Sequence, residues 1–397
     1  MDSGEQLESR DGPGADPETR TAAPSAKLEP REPDQRVALC LSGGGYRAML
    51  FHLGTLWRLN ELGYLPKLDR VSSVSGGSIT AGVLAKRWHE LSFDQGGVAS
   101  NFDETVAADL LALAGKTIDV WAVLAGLLSF GSIADRVAAA YRRQLFGTLT
   151  LQSLPERPQF VINATNLQSG ALWRFSKARM ADYRVGQVLE PEVDLAVAVA
   201  ASSAFPPILS PLRLKLDPDA VVGFPGAPAP PLQHPPYTTK VVLSDGGVYD
   251  NLGLQQATGF PVVLVSDGGA KMADEPRPRS FWPLQLLRVL SVIDNQVRAQ
   301  RTEHLIEAYK QATQPLGGAY WGIRTLISGY HVPTLPAPPE RTRELAATPT
   351  RLARLSQARR HRLVNWGYAI CDAAMRAYVL PQPPQPPPPG FPFPDGV

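Results

Sequence analysis

A serine, an aspartate and a run of glycines carry the chemistry that this sequence can do. Ser73-Val74-Ser75-Gly76-Gly77 stands where a short apolar run, Val71–Val74, gives way to a helical pattern. A nucleophilic serine on so sharp a strand-to-helix turn needs small residues two before and two after it, because larger side chains collide as the backbone reverses. Gly77 meets that demand, and Ser73 stands where a glycine is usual. The helix after Ser75 would aim free amides at the reaction centre and favour negative charge there. A serine-glycine helix cap accounts for the same residues.

Upstream, Ser42–Ala48 reads Ser-Gly-Gly-Gly-Tyr-Arg-Ala at a second strand-to-helix junction. Unobstructed N–H groups can converge on one anion, so Gly43, Gly44 and Gly45 are candidates for an oxyanion hole. Gly43-x-Gly45-x-x-Ala48 also fits the dinucleotide fingerprint, with Asp69 near the place of a ribose-binding acid. A nucleotide-binding oxidoreductase is therefore an alternative, although such an enzyme has no need of a serine elbow. No Gly-Lys-Ser/Thr follows, which excludes a Walker phosphate loop.

An activated serine needs a base. Ser244-Asp245-Gly246-Gly247 follows the apolar run Val241–Leu243, and Ser266-Asp267-Gly268-Gly269 repeats the pattern after Val262–Val265. Composition and spacing do not rank the two aspartates. A Ser–His–Asp triad is the rival, since His304, His331 and His361 follow in the required chain order. None of them lies in a loop motif, and His304 and His361 fall within amphipathic helical patterns.

The elements that must position these groups alternate. Strands are expected at Arg36–Leu41, Val71–Val74, Pro158–Ala164, Lys240–Leu243 and Pro261–Val265. Helices are expected at Tyr46–Leu62, with Gly63 as C-cap, at Gly77–Trp88, and at Leu284–Lys310 and Leu352–Tyr378. That alternation predicts an α/β fold, a mostly parallel central sheet covered by helices on both faces. Residues 1–36 and the proline-rich 381–397 read as disordered tails around one domain, 37–380, with Pro218–Pro236 a surface insertion.

The bulk numbers narrow the class. A net charge of +2 over 397 residues gives nucleic acid no footprint. Two distant cysteines, Cys40 and Cys371, form neither a disulfide framework nor a zinc pattern. The start lacks the basic and apolar regions of a secretory signal. Val120–Phe130 is too short to span a bilayer and reads as a buried helix, with an interfacial lid as the alternative. A cytoplasmic chain, at most peripheral to a membrane, is the expectation. The arginines of 351–362 read as a solvated helix face or a headgroup site, and Arg47 as a salt-bridge partner or a phosphate contact.

With these motifs in order (SGGGYRA, SVSGG, DGGVYDNLG) the sequence resembles the patatin-like phospholipase family, from about Arg36 to Tyr378. The likeness extends to NATNLQSG (Asn163–Gly170) and AVAASSAFPP (Ala198–Pro207). It implies a lipid acyl hydrolase, phospholipase A or lysophospholipase in type, acting on a lipid ester through an acyl-enzyme without a cofactor. It further implies Ser75 as nucleophile, Asp245 as base and Gly43, Gly44 and Gly45 as the oxyanion loop. Two departures stand out: Ser73 replaces the elbow glycine, and Ser42 stands where many members carry aspartate. The first leaves a catalytically silent lipid-binding relative as an alternative.

Overall fold

The structure, a computed structural model, describes residues 36–118, 133–269, 272, 274–278, 280–311, 316–380 and 388–397, with the backbone alone at Pro283. The sequence readings of the N-terminal tail and of Val120–Phe130 lie outside those residues.

Among the described residues ten strands form one sheet: β1 (Val37–Leu41), β2 (Leu68–Val74), β3 (Gln159–Asn166), β4 (Ala171–Phe175), β5 (Arg179–Asp182), β6 (Gly186–Leu189), β7 (Leu212–Lys215), β8 (Lys240–Asp245), β9 (Val262–Asp267) and β10 (Gly317–Gly322). The helices are α1 (Gly45–Glu61), α2 (Gly76–Arg87), α3 (Ala108–Ala114), α4 (Ile133–Tyr141), α5 (Leu195–Ser202), α6 (Gly247–Asp250), α7 (Trp282–Lys310), α8 (Pro339–Ala346) and α9 (Gln357–Tyr378). Strand order is β10-β9-β1-β2-β3-β4-β5-β6, parallel from β10 to β3 and antiparallel beyond. The expected α/β class and the expected strands are present. The sequence reading missed the antiparallel half, because β4 to β7 are four or five residues each, too short to show a period.

Alternation along β1 shows why both faces are covered. Val37, Leu39 and Leu41 enter the main core with α1 and α9, while Ala38 and Cys40 meet Phe260, Val263, Val265 and Leu305 on the opposite face. Helix α1 is buried on nearly all sides, because it lies between the sheet and α9. The two helix backbones touch where side chains are absent: a methyl on Gly54 would fall 1.9 Å from the Val364 carbonyl oxygen, and one on Gly367 1.9 Å from that of Phe51. Gly63, at φ 61°, closes α1 as expected. Helix α9 starts later than expected because the Ser356 hydroxyl accepts the Arg359 N–H and caps it.

One expectation needs correction. Residues 388–397 are docked rather than disordered: Phe393 stacks on His361 at 4.0 Å and meets Trp57, while the Asn365 amide donates to the carbonyls of Phe393 and Gly396. Proline composition marks this tail as extended, but two phenylalanines give it apolar surface to bury. Among the described residues no helix is long and apolar enough to cross a membrane.

Candidate active site

Strand β3 brings the two candidate groups together. Along one edge its Asn163 pairs with Val74, the last residue of β2, and its next residue, Ala164, pairs with Asp245, the last of β8. Strand β2 runs parallel to β3 and β8 antiparallel, so the two approach head-on and end beside each other. Ser75 and Asp245 are therefore neighbours although 169 residues separate them.

Ser75 sits at φ 51°, ψ −118°, a backbone region that few non-glycine residues adopt. Glycines permit the turn by close approach: a methyl on Gly77 would lie 2.4 Å from the Leu41 carbonyl oxygen, and one on Gly76 2.2 Å from that of Gly45. Ser73, the departure from the elbow pattern, is fully buried and satisfied. Its hydroxyl donates to the Val161 carbonyl at 3.3 Å and accepts from Ser78 at 3.0 Å. Ser78 Oγ meets Ser202 Oγ at 2.9 Å, and Ser202 Oγ accepts the Ser75 N–H at 2.9 Å. Since each hydroxyl has one proton, Ser202 donates to Ser78 and the chain of serines is ordered in one direction behind the elbow.

The glycine loop wraps the other side. Among the described residues the N–H groups of Gly44, Gly45 and Gly76 meet no acceptor. Gly43 differs from the expectation, because its N–H is taken by the Asn251 carbonyl at 3.1 Å. Ser42, in place of the usual aspartate, accepts the Gly268 N–H at 2.9 Å through its hydroxyl. Its carbonyl receives the N–H of Gly77 and the Nε2–H of His52. His52 is fully buried, and burial lowers its pKa to about 4, so it is a neutral hydrogen-bonding strut.

Environment separates the two aspartates that spacing left equal. Asp245 is 3% exposed, and burial raises its pKa to about 7. The Gly247 N–H on Oδ1 at 2.7 Å and the Ser75 hydroxyl pull it back, and the charge of Asp294 adds to the rise. Oδ2 is buried and, among the described residues, has no well-formed hydrogen bond. Asp267 is equally buried, yet the opposing pull of Arg298 at 2.6 Å, helped by the Gly269 N–H and the Tyr320 hydroxyl, holds it below the usual carboxylate range. It is a paired structural anion. Among the described residues none of the three candidate histidines is bonded to Ser75 or Asp245: His361 bonds to Asp395 at 2.6 Å, and His304 and His331 are exposed.

Other expectations resolve by position. Asp69 lies at the start of β2, at the end of the sheet opposite the glycine loop, and binds the Val37 N–H and Arg157. A ribose-binding acid belongs at the carboxyl ends of the strands, so the dinucleotide reading fails. Arg47 is 1% exposed and donates to the carbonyls of Gly268 and Thr348 at 3.0 and 2.5 Å rather than to a carboxylate. In the arginine stretch, Arg359 pairs with Glu344 and Arg360 donates to the Leu111 carbonyl, so these two fasten α9. Among the described residues, no group of three or more His, Cys, Asp or Glu is placed to hold a metal ion. A cavity of 680 Å³ opens between α7 and the ends of β9 and β10, but neither Ser75 nor Asp245 lines it.

Sequence reasoning missed Asn251. A methyl on Gly43 would stand 2.4 Å from its Oδ1 and 3.2 Å from the Ser75 Cβ, and one on Gly247 2.6 Å from the same Oδ1. The Asn251 side-chain amide thus fills the space left open by two glycines beside Ser75. Among the described residues it has no hydrogen-bond partner. The available signal was its place in the DGGVYDNLG match, six residues after Asp245 and just beyond the single turn of α6.

Comparison with known proteins bears on the fold and the family. No curated protein sequence matches the chain. Human GIVD cytosolic phospholipase A2 superposes with a TM-score of 0.51 at 12% identity, covering 88% of this chain and 64% of its own. Its complex with methyl gamma-linolenyl fluorophosphonate gives 0.51 at 13% identity, covering 87% and 59%. VipD from Legionella pneumophila gives 0.36 at 15% identity, covering 91% and 73%. This chain thus spans less than two thirds of the length of the human enzyme. At such identities the human enzyme supports the fold alone. The family model described as Patatin-like phospholipase matches residues 39–258, more than half of the chain and both strand-end motifs, and on that match the chain belongs to the patatin-like phospholipase family.

Proposed function

We propose that the protein is a lipid acyl hydrolase, of phospholipase A or lysophospholipase type, that cleaves carboxylic esters through Ser75 and Asp245. The observation that carries this reading is the state of Asp245: buried, paired with no cation among the described residues and with its pKa raised by burial to about 7, next to a serine on a strained elbow. A carboxylate with an ordinary pKa of about 3.9 is a feeble base for a hydroxyl, and desolvation makes it a stronger one. Membership of the family supports lipid ester as the substrate class.

In the reaction Asp245 takes the Ser75 proton as Oγ attacks the ester carbonyl carbon. The tetrahedral oxyanion is held by the open amides of Gly44, Gly45 and Gly76, with the Asn251 side-chain amide as a further donor. Protonated Asp245 then gives its proton to the departing alcohol. Water, deprotonated by Asp245 in turn, attacks the acyl-enzyme; the acyl–Oγ bond breaks, Asp245 returns that proton to Ser75 Oγ, and the fatty acid leaves.

A fluorophosphonate probe tests this directly. The wild type and the Asp267→Asn variant, at a temperature where the latter is folded, are expected to label. Ser75→Ala and Asp245→Ala are not. Equal labelling of Ser75→Ala and wild type would refute the assignment.

A further inference from the structure

Helix α7 divides into two halves of different character. From Arg298 onward it is rooted on the sheet: Arg298 pairs with Asp267, Arg301 with Asp250 at 3.1 Å, and the Tyr309 hydroxyl donates to the Val263 carbonyl at 2.8 Å. Residues 282–297 form an arm roughly 24 Å long. Along this arm only Arg288 and Asn295 are as much as half-buried among the described side chains. At about 100° per residue, Trp282, Leu286, Val289, Leu290, Ile293 and Val297 align on one stripe, and each is at least 40% exposed. Leu284, Leu287 and Val292 lie off that stripe and are exposed too.

So much unpartnered apolar surface requires an occupant. A second copy of the helix would cover the stripe as a seam and leave the three off-stripe side chains in water. Hydrocarbon can surround most of the circumference. The charge content agrees, since Arg288 and Asp294 are the only charged residues of 282–297 and cancel. Position agrees as well. Asp294 is near enough to Asp245 for its charge to act there. Further exposed apolar side chains stand on segments that adjoin Asp245: Val248 on α6, and Phe205 and Ile208 beyond Ala204, whose carbonyl accepts the Asp245 N–H at 2.9 Å.

We infer that residues 282–297 are a lipid-docking arm, which sinks its stripe into the hydrocarbon of a membrane and brings the Ser75–Asp245 site up to the lipid. The inference rests on the proposed hydrolysis for its purpose, but the arm binds lipid whether or not the serine reacts. Because the arm is neutral, it reads packing gaps in a curved bilayer rather than anionic headgroups.

The test compares the full chain with Leu286→Gln/Leu290→Gln/Ile293→Gln. Flotation with sonicated dioleoylphosphatidylcholine vesicles is expected to fall by about tenfold or more in the variant. Hydrolysis of vesicle lipid should fall in parallel, while fluorophosphonate labelling and cleavage of a soluble short-chain ester stay unchanged. Adding phosphatidylserine to the vesicles should change the binding little. Equal flotation of variant and wild type overturns the arm, as does a wild type that fails to float. A lipid-free dimer that the variant splits into monomers, with flotation unaltered, assigns the stripe to a second copy instead. A wild type that floats through its arm but never labels leaves the docking intact and refutes the hydrolase.

Discussion

The buried carboxyl of Asp245 ties activity and stability to pH in opposite directions. In the proposed reaction Asp245 must be ionised to act as base, so kcat is expected to rise with pH through about 7 and level off above it. Folding raises this pKa, so the folded chain holds a proton that the unfolded chain has lost between the ordinary carboxylate range and about pH 7. The stability contribution of Asp245 is present in full below that window and is lost as pH rises through it. Asp245→Asn should therefore be inactive and, in thermal melts at pH 8, several degrees more stable than wild type. Asn251 is expected to behave differently. Asn251→Ala should lower kcat by about a hundredfold with KM and melting temperature nearly unchanged; a kcat within threefold of wild type, or a falling melting temperature, would reduce Asn251 to a structural filler. Much at this scale was legible. Ser75 and both aspartates announce themselves through glycine neighbours that a sharp turn demands. What ranks the aspartates is Arg298 and Tyr320, which reach Asp267 from elements distant in the chain, and no local pattern carries that. The diversion of the Gly43 N–H to the Asn251 carbonyl was hidden for the same reason.

Among elements, the crossing of α1 and α9 sets how firmly the glycine loop is held, because α1 begins at Gly45 itself. The crossing depends on two missing side chains that face backbone, which has little room to yield. Gly54→Ala and Gly367→Ala should each cost about 3 kcal/mol in denaturant unfolding, and their effects should not add, since both wedge the same contact. Long periodic helices and buried parallel strands could be read from the chain within a few residues. Strands such as β5 (Arg-Met-Ala-Asp) could not, because their neighbours in the sheet, and not their composition, make them strands.

For the molecule as a whole, the carboxyl-terminal segment 388–397 acts as a clasp over α9. Phe393 fills the space between Trp57 and His361. Phe393→Ala should lower stability by about 1–2 kcal/mol, read from the denaturation midpoint, and Asn365→Ala should loosen the same segment by freeing two carbonyls. The architecture as a layered α/β sheet followed from the alternation of patterns. The clasp did not, because a proline-rich stretch shows by its composition only that it is extended, and its docking depends on which apolar grooves the finished fold leaves open.

The spacing of Ser75 and Asp245 belongs to β3, which presents adjacent residues to the two strand ends. The intervening chain only has to deliver β8 to that edge. A cut within the exposed turns of 218–236 would thus leave one fragment bearing Ser75 and β3, and a second bearing Asp245 on β8. Apart, neither has a complete reacting pair. Together, β8 pairing with β3 over three rungs and with β7 over four, and β9 pairing with β1 over five, would restore it, so the proposed hydrolase can be divided into complementary halves whose reunion is read by ester cleavage.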